Sequence, residues 1–304
     1  MTHNTCDRFQ GIWLGSIFGQ ALADGTNQSG LTFDFSPPDW LKQRKQATDI
    51  LLDTKSLASS RQAKFQYDNN VLSVLPWILI DGDEPDLFKQ TIDELYHWTL
   101  PAEVRENTVE DLALWNCLLR LLLDKSRSLL NFELWCQQAM SYAGVENSLL
   151  VNKLATAIAA VKDGMSLHQL IEKLDLENNL QQTAIALACY CFATSPQEFS
   201  LSTTRAANIP HLAWLTAPLT ATLSGAYNGM TGIPQKWRTI AERHSTSYRS
   251  ETKLAIKLFR AWLGVYLADC QELGDRELHA VALPRLIQPR ESLKIISQTK
   301  FLLD

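Results

Sequence analysis

The chain has no excess of positive charge and no long hydrophobic run. Its 304 residues include 28 lysines and arginines against 33 aspartates and glutamates, which gives a formal net charge of −5 and argues against non-specific binding to nucleic acid. No apolar stretch reaches the roughly 18 residues that a membrane span needs, and the N-terminus has no signal-peptide pattern. We therefore expect a soluble, cytoplasmic protein that neither spans a membrane nor binds nucleic acid.

Cysteine and histidine spacings typical of metal sites are also absent. The six cysteines are Cys6, Cys117, Cys136, Cys189, Cys191 and Cys270. None of them forms a pair of the kind that holds zinc, and the two that lie two residues apart are turned to different faces of a predicted helix. The six histidines are scattered, with no His-x-x-x-His pattern. The sequence therefore predicts reduced thiols and no zinc site.

Strand patterns are nearly absent as well, whereas amphipathic helical patterns recur along most of the chain. No repeat of solenoid type occurs, and no break in composition marks a domain boundary. A chain of this length can bury a large core as one domain. We predict an all-α fold, a compact orthogonal bundle of many helices, with residues 1–304 forming a single domain.

Two of the predicted helices each have a face without bulky side chains. In DRFQGIWLGSIFGQALADG, residues 7–25, this face consists of Gly11, Gly15, Gly19 and Ala23. In PHLAWLTAPLTATLSGAYNGMTGIPQKW, residues 210–237, it consists of Ala213, Ala217, Ala221, Gly225 and Gly229. Residues four apart share one face of a helix. Because each glycine inside a helix costs about 1 kcal/mol relative to alanine, we expect these faces to serve a close contact between the two helices.

Together these two segments resemble the ADP-ribosylglycohydrolase (DraG-type) family. Family members open with Asp-Arg-x-x-Gly-x-x-x-Gly-x-x-x-Gly-Asp-Ala, and later a Gly-Gly-Asp-Thr-Asp-Thr motif leads into a helix that ends Ala-Gly-Ala-x-x-Gly-x-x-x-Ile-Pro-x-x-Trp. The resemblance covers roughly residues 5–24, 65–80 and 150–240, so residues 246–304 are expected to be a C-terminal extension outside it. It implies the family's all-α fold and an enzyme that cleaves the glycosidic bond between ADP-ribose and an acceptor with a pair of divalent cations, Mg²⁺ or Mn²⁺.

The acidic residues of these family motifs are missing from this chain. Gln20 stands where the first motif has aspartate, and the register of the later motif puts Leu212 and Trp214 at its two aspartates. The family's Thr-Asp-Asp-Thr motif falls on Tyr67-Asp68-Asn69-Asn70, which keeps one carboxylate. The family's Ser-Gly-Asn-Gly segment, which helps to hold the phosphate and ribose of its substrate, has no counterpart here.

These replacements predict that the metal pair is lost. Two close cations need several carboxylate oxygens, which Leu212 and Trp214 do not offer, and the amide of Asn69 brings no charge. We therefore expect no cofactor and no catalytic residue among the family positions Gln20, Asp68, Asn69, Asn70, Leu212 and Trp214. Asp68 is expected to cap a helix. A ligand that binds where the family has its active-site cleft would contact Asp68, Asn69 and Trp214. Alternatively, the Trp214 indole fills this cleft.

Three functions are compatible with this pattern, and we rank them in the order given. The first is a catalytically inactive relative, a pseudoenzyme, that regulates or binds, and holds either a nucleotide-like ligand without metal or a protein partner. The second is a structural subunit of an assembly, in which Trp214 and its neighbours fill the former cleft. The third is an active metal-dependent hydrolase that removes ADP-ribose from protein or small-molecule acceptors, with carboxylates from residues 81–86 or from the loop 32–40.

The sequence also predicts local details. We expect Asp7 to cap the first helix and Ser250 to cap the amphipathic helix that begins directly after Ser250. Pro76 is expected to lie in the first turn of a buried helix or at a bend. The acidic run 81–86 is expected to be a solvated turn. Trp40, with Phe33 and Phe35, is expected to anchor its loop to the core, with an aromatic ledge for a planar ligand as the alternative.

Overall fold

The computed structural model describes residues 5–25, 38–52, 70–97, 99–123, 131–174 and 179–263. In chain order the helices are α1 (Thr5–Gly25), α2 (Asp39–Leu52), α3 (Leu75–Asp81), α4 (Pro85–Tyr96), α5 (Ala102–Leu123), α6 (Phe132–Ala143), α7 (Leu149–Lys162), α8 (Leu167–Lys173), α9 (Leu180–Ala193), α10 (Phe199–Ala207), α11 (Ala213–Asn228), α12 (Gln235–His244) and α13 (Thr246–Trp262). A short 3₁₀ helix, Met230–Gly232, lies between α11 and α12. Since these ranges contain no strand, the predicted all-α fold is confirmed.

One hydrophobic core joins all these helices. The buried cluster takes at least one side chain from each of the thirteen, from Phe9 in α1 to Phe259 in α13. Within the ranges given above, no helix has the length and apolar character that a membrane crossing requires. That the domain extends over residues 1–304 stays a prediction, because the last 41 residues lie outside the described ranges.

Helices α1 and α11 form the centre of the fold and touch along their small faces. A methyl group added at Gly15 would overlap the backbone carbonyl oxygen of Ala221, and one added at Gly19 would overlap that of Ala217. The contact runs along both helices, because Gly11 meets Gly225 in the same way. The predicted close contact between the two glycine-containing helices is therefore confirmed.

A polar stripe beside this contact is buried with it. Thr216, Thr220, Ser224 and Asn228 all have little or no exposure. The hydroxyl of Thr220 donates to the carbonyl of Thr216 at 2.8 Å, and the amide of Asn228 donates to the carbonyl of Pro196, also at 2.8 Å. Bonds of this kind let a helix carry polar side chains into a core.

An ion pair inside the protein ties α2 and α13 to α1. The Arg44 guanidinium donates to the Glu251 carboxylate at 2.7 Å, and the indole of Trp13 donates to the same carboxylate at 2.9 Å. Arg44 also donates to the hydroxyl of Ser16 at 2.6 Å and lies over the ring of Trp13, 4.1 Å from its centroid. Burial lowers the pKa of Arg44, and the nearby Glu251 carboxylate offsets part of this shift. The guanidinium keeps its charge.

Two of the predicted helix caps are wrong. Helix α1 begins at Thr5, so Asp7 lies inside its first turn and accepts instead from the backbone and hydroxyl of Thr231, at 3.3 and 3.0 Å. Helix α13 follows α12 after a single extended residue, Ser245, whose side chain accepts from the backbone N–H of Tyr248 at 3.0 Å. It therefore begins before Ser250, which lies inside it.

Two other local predictions are confirmed. Pro76 lies in the first turn of α3, where its missing N–H costs nothing. Trp40 is buried in α2 and donates to the side chain of Gln20 at 3.3 Å, so it anchors its segment to the core, and the alternative of an exposed ledge at this residue is wrong. Phe33 and Phe35 lie outside the described residues.

Candidate functional site

The end of α1 and the beginning of α11 line an open cavity of about 390 Å³. Ala23 and Asp24 line it from α1, and Asn208 and His211 line it from the connection between α10 and α11. Trp214, in the first turn of α11, completes this wall. The cavity thus lies where the Gln20 position and the Leu212–Trp214 positions of the family motifs come together.

Gln20 is buried behind the cavity and holds Asp24 in place. Its amide nitrogen donates to both carboxylate oxygens of Asp24, at 3.1 and 3.2 Å. Its amide oxygen accepts from the indole of Trp40. Both ends of this amide are therefore engaged within the protein, and the carboxylate at the cavity belongs to Asp24, one helical turn further on. Asp24 was not predicted as a site residue, because the family motif has its aspartate at the position of Gln20. The spacing of four residues, which puts both side chains on one face of α1, could have identified it.

Leu212 and Trp214 have opposite environments. The side chain of Leu212 is 1% exposed and belongs to the hydrophobic core, whereas Trp214 is 48% exposed and lines the cavity. The indole N–H of Trp214 donates to the carbonyl of His211 at 3.2 Å. His211 itself has a left-handed backbone, with φ of 61°, which sets the sharp turn into α11. The turn thus places one of the two motif positions in the core and the other at the surface of the cavity.

The Asn70 position takes part in a local turn. Its side-chain oxygen accepts from the backbone N–H of Leu72 at 3.0 Å, in the turn that precedes α3. It does not cap α3, because the N-cap of that helix is Val74, which makes no side-chain cap. Asp68 and Asn69 lie outside the described residues, so their predicted roles stay predictions.

The donors that the described residues supply around the cavity do not fit a pair of divalent cations. Asp24 supplies the one carboxylate among the described lining residues, and the amide oxygen of Gln20 already accepts a hydrogen bond. In the part of the chain that the structure describes, no group of three or more His, Cys, Asp or Glu side chains could hold a metal ion. Mg²⁺ and Mn²⁺ require such oxygen-rich sets.

The structure does not bring the acidic run 81–86 to this cavity. Asp83 follows α3 and forms an ion pair with Arg120 at 3.0 Å, and the residues beside it face the beginning of α1 rather than its end. The hypothesis of a rebuilt hydrolase site therefore receives no carboxylate from this turn. Residues 32–37 of the other proposed source lie outside the described ranges.

One strongly perturbed acid, Asp111 of α5, is buried elsewhere in the protein. Burial raises the pKa of Asp111 to about 7, although a hydrogen bond of 2.6 Å from Gln182 of α9 opposes the shift. Asp111 is not among the residues that line the cavity. We interpret it as a structural acid that joins two core helices.

Comparison with known proteins agrees with this architecture. The model of the ADP-ribosylglycohydrolase family matches residues 39–266, most of the chain. The chain therefore belongs to the ADP-ribosylglycohydrolase family. A search of curated proteins found no match. The matched range begins after α1, although α1 packs against α11 inside that range.

Proposed function

We propose that this chain is a catalytically inactive member of the ADP-ribosylglycohydrolase family that acts as a binding protein and holds a nucleotide-like ligand without metal. The observation that carries the proposal is the pairing of a half-exposed indole, Trp214, with the fixed carboxylate of Asp24, the one acid among the described residues that line the cavity. The cavity has the size of a ligand site. Known ligand pockets have volumes of about 300–1,000 Å³.

The donors at the described family positions support the lack of catalysis. Hydrolysis with two cations needs oxygen ligands that balance their charge and replace their hydration. At the family positions Leu212 supplies none, and the amide of Gln20 is already bonded to Trp40 and Asp24. The one carboxylate that the described residues place on the cavity is too few for this chemistry.

Trp214 and Asp24, on the described lining of the cavity, indicate the class of ligand. The face of an indole stacks on planar rings, including the bases of nucleotides. The Asp24 carboxylate, which the Gln20 amide holds at 3.1 and 3.2 Å, accepts hydrogen bonds from ribose hydroxyls or from an exocyclic amine. Its negative charge disfavours a pyrophosphate beside it, so we expect the nucleoside part of the ligand to occupy this position.

An open cavity favours this proposal over a purely structural subunit. A filled cleft would bury the indole of Trp214 and leave no space beside it. Instead, Trp214 is half-exposed and the cavity beside it measures about 390 Å³.

Calorimetric titration tests the proposal. We expect no heat of binding from Mg²⁺ or Mn²⁺, and equal binding of ADP-ribose with and without a chelator. Trp214→Ala should weaken ADP-ribose binding about tenfold, since stacking on an aromatic side chain is worth about 1–3 kcal/mol. Leu134→Ala, which removes a similarly exposed apolar side chain from α6, is the matched control and should bind as the native protein does.

Two results would contradict the proposal. Release of ADP-ribose from an ADP-ribosylated protein, dependent on metal and abolished by Asp68→Ala, would establish an active hydrolase. Absence of ADP-ribose binding would leave the structural subunit as the better hypothesis.

A further inference from the structure

A second cavity, of about 530 Å³, lies at the beginning of α1. Thr5 and Phe9 line it from α1, and the described ends of α5, α6 and α13 supply most of its other walls. At a rise of 1.5 Å per residue, Thr5 lies about 28 Å along the helix axis from Asp24, so this cavity is separate from the one beside Trp214. It has no role in the proposed function.

Aromatic rings form one side of this second cavity. The rings of Phe9 and Trp262 have centroids 6.2 Å apart, and Phe259 packs against both, at 5.3 and 5.7 Å. Tyr142 from α6, which is mostly exposed, stands on the lining as well. Flat apolar surfaces of this kind favour a planar apolar molecule.

The polar side of the cavity is a fixed network. The Asp83 carboxylate forms an ion pair with the Arg120 guanidinium at 3.0 Å and accepts a hydrogen bond from the indole N–H of Trp262 at 3.1 Å. Arg120 also donates to the carbonyls of Ile78 and Leu79 at the end of α3, at 2.9 and 3.0 Å. The wall that includes Asp83 is therefore held by three helices before any ligand arrives.

Gly82 makes this network sterically feasible. A methyl group at Gly82 would collide with the side chains of Asn116 and Arg120, which pack directly on its backbone. Only glycine at this position lets Arg120 reach both Asp83 and the end of α3. The turn between α3 and α4 thus presents the Asp83 carboxylate in one orientation.

Among the described residues that line this cavity, the charges cancel. Asp83 and Arg120 are the charged residues among its described lining, and they are paired with each other. Cys117 adds no charge near neutral pH, because burial raises the pKa of its thiol to about 11. An ionic ligand would lose hydration here without gaining a partner. The Asp83 side chain is 41% exposed and can accept one more hydrogen bond.

We infer that this cavity is a second ligand site, which takes a small, uncharged aromatic molecule with one hydrogen-bond donor directed at Asp83. The rings of Phe9 and Trp262 contact the aromatic part, and Asp83 selects the donor. This inference does not depend on what the cavity beside Trp214 binds.

Four naphthalene derivatives of nearly equal size test the ligand class. They are 2-naphthalenemethanol, its methyl ether, 2-naphthoate and 2-naphthylmethylammonium, titrated against the full chain and followed by ligand-observed NMR. We expect the alcohol to bind at least about tenfold more tightly than the ether, which has no donor, and than either ion. Equal affinity for all four, or no binding of the alcohol, would overturn the inference.

Variants of the full chain test the location. Tyr142→Ala should weaken binding of the alcohol, whereas Trp214→Ala, which removes a similarly exposed aromatic ring from the other cavity, should leave it unchanged. Asp83→Asn leaves the Arg120 charge uncompensated and should reverse the preference, so that 2-naphthoate binds more tightly than the alcohol. If Trp214→Ala abolishes binding, or Asp83→Asn leaves the preference unchanged, the assignment of the site is wrong. Thermal unfolding of each variant verifies that it is folded.

Discussion

Arg44 and Glu251 are 207 residues apart in the sequence and 2.7 Å apart in the folded protein. Their side chains are 0% and 4% exposed. The pair joins α2 to α13, and through the Trp13 indole and the Ser16 hydroxyl it holds both helices on α1. Residues 246–262, which the sequence resemblance left outside, are thereby part of the core.

Breaking this pair should be costly. Arg44→Met leaves the Glu251 carboxylate buried without its cation, and we expect a loss of about 3–5 kcal/mol in the free energy of unfolding. Urea unfolding at pH 8 measures the change. The matched control is Lys42→Met, which removes an ion pair of largely exposed side chains in the same helix and should change stability by less than about 1 kcal/mol. Equal effects of the two substitutions would contradict this role for Arg44.

Gly15→Ala should destabilise the protein although alanine is the better helix former. Helix propensity alone would add about 1 kcal/mol of stability. The new methyl group overlaps the carbonyl oxygen of Ala221, so α1 and α11 must separate, and we expect a net loss of about 1–3 kcal/mol. Ala155→Gly on the exposed face of α7 calibrates the propensity term and should cost about 1 kcal/mol. A gain of stability in Gly15→Ala, measured by urea unfolding, would show that the contact is looser than described.

Stability should depend on pH through Asp111. The pKa of Asp111 is raised from an ordinary value of 3.8 to about 7, so the folded protein keeps a proton that the unfolded chain loses. This contribution is complete below about pH 4 and is lost as the pH rises to about 7, at a rate of at most about 1.4 kcal/mol per pH unit. Asp111→Asn should therefore remove this part of the decline when unfolding is measured from pH 5 to 8.

The control for this pH dependence is Glu106→Gln, an exposed acid on the same helix, which should keep the native profile. If Asp111→Asn and the native protein have parallel profiles, Asp111 titrates in the folded state as it does in the unfolded chain.

The two motif positions at the beginning of α11, Leu212 just before the helix and Trp214 in its first turn, should respond differently to the family's aspartate. Leu212→Asp places a carboxylate in the hydrophobic core and should cost about 4 kcal/mol or more, whereas Trp214→Asp at the cavity should change stability by about 1 kcal/mol or less. Thermal and urea unfolding distinguish the two. Similar losses in both variants would mean that Trp214 is as deeply packed as Leu212.

What could be predicted from the sequence was periodic and local. The spacing of Gly11, Gly15 and Gly19 is a pattern along one helix, so the close contact with α11 followed from it. Helix ends were harder to predict, because residues that could act as caps lie near each other. Ser245 and Ser250 are chemically equivalent, and Ser245 is the cap because it is the one residue that separates α12 from α13.

Long-range pairing was not visible in the sequence. Arg44 stands in a polar stretch that resembles a solvated helix face, and it becomes a core residue because α1 and α13 close over it. In the same way, the family register located Leu212 and Trp214, but their different environments depend on the left-handed turn at His211. Asp24 needed no long-range information, since it lies one turn from Gln20.

The placement of α1 has a consequence for protein synthesis. Trp13 and its partner Glu251 are separated by 238 residues, and the glycine face of α1 meets a helix that is made almost as late. At about 5–20 residues per second, the first helix leaves the ribosome roughly 10–50 s before its partners exist. During that time the faces of α1 that pack on α11 and α13 have no native neighbour, so we expect a nascent chain of this protein to need chaperones until these two helices emerge.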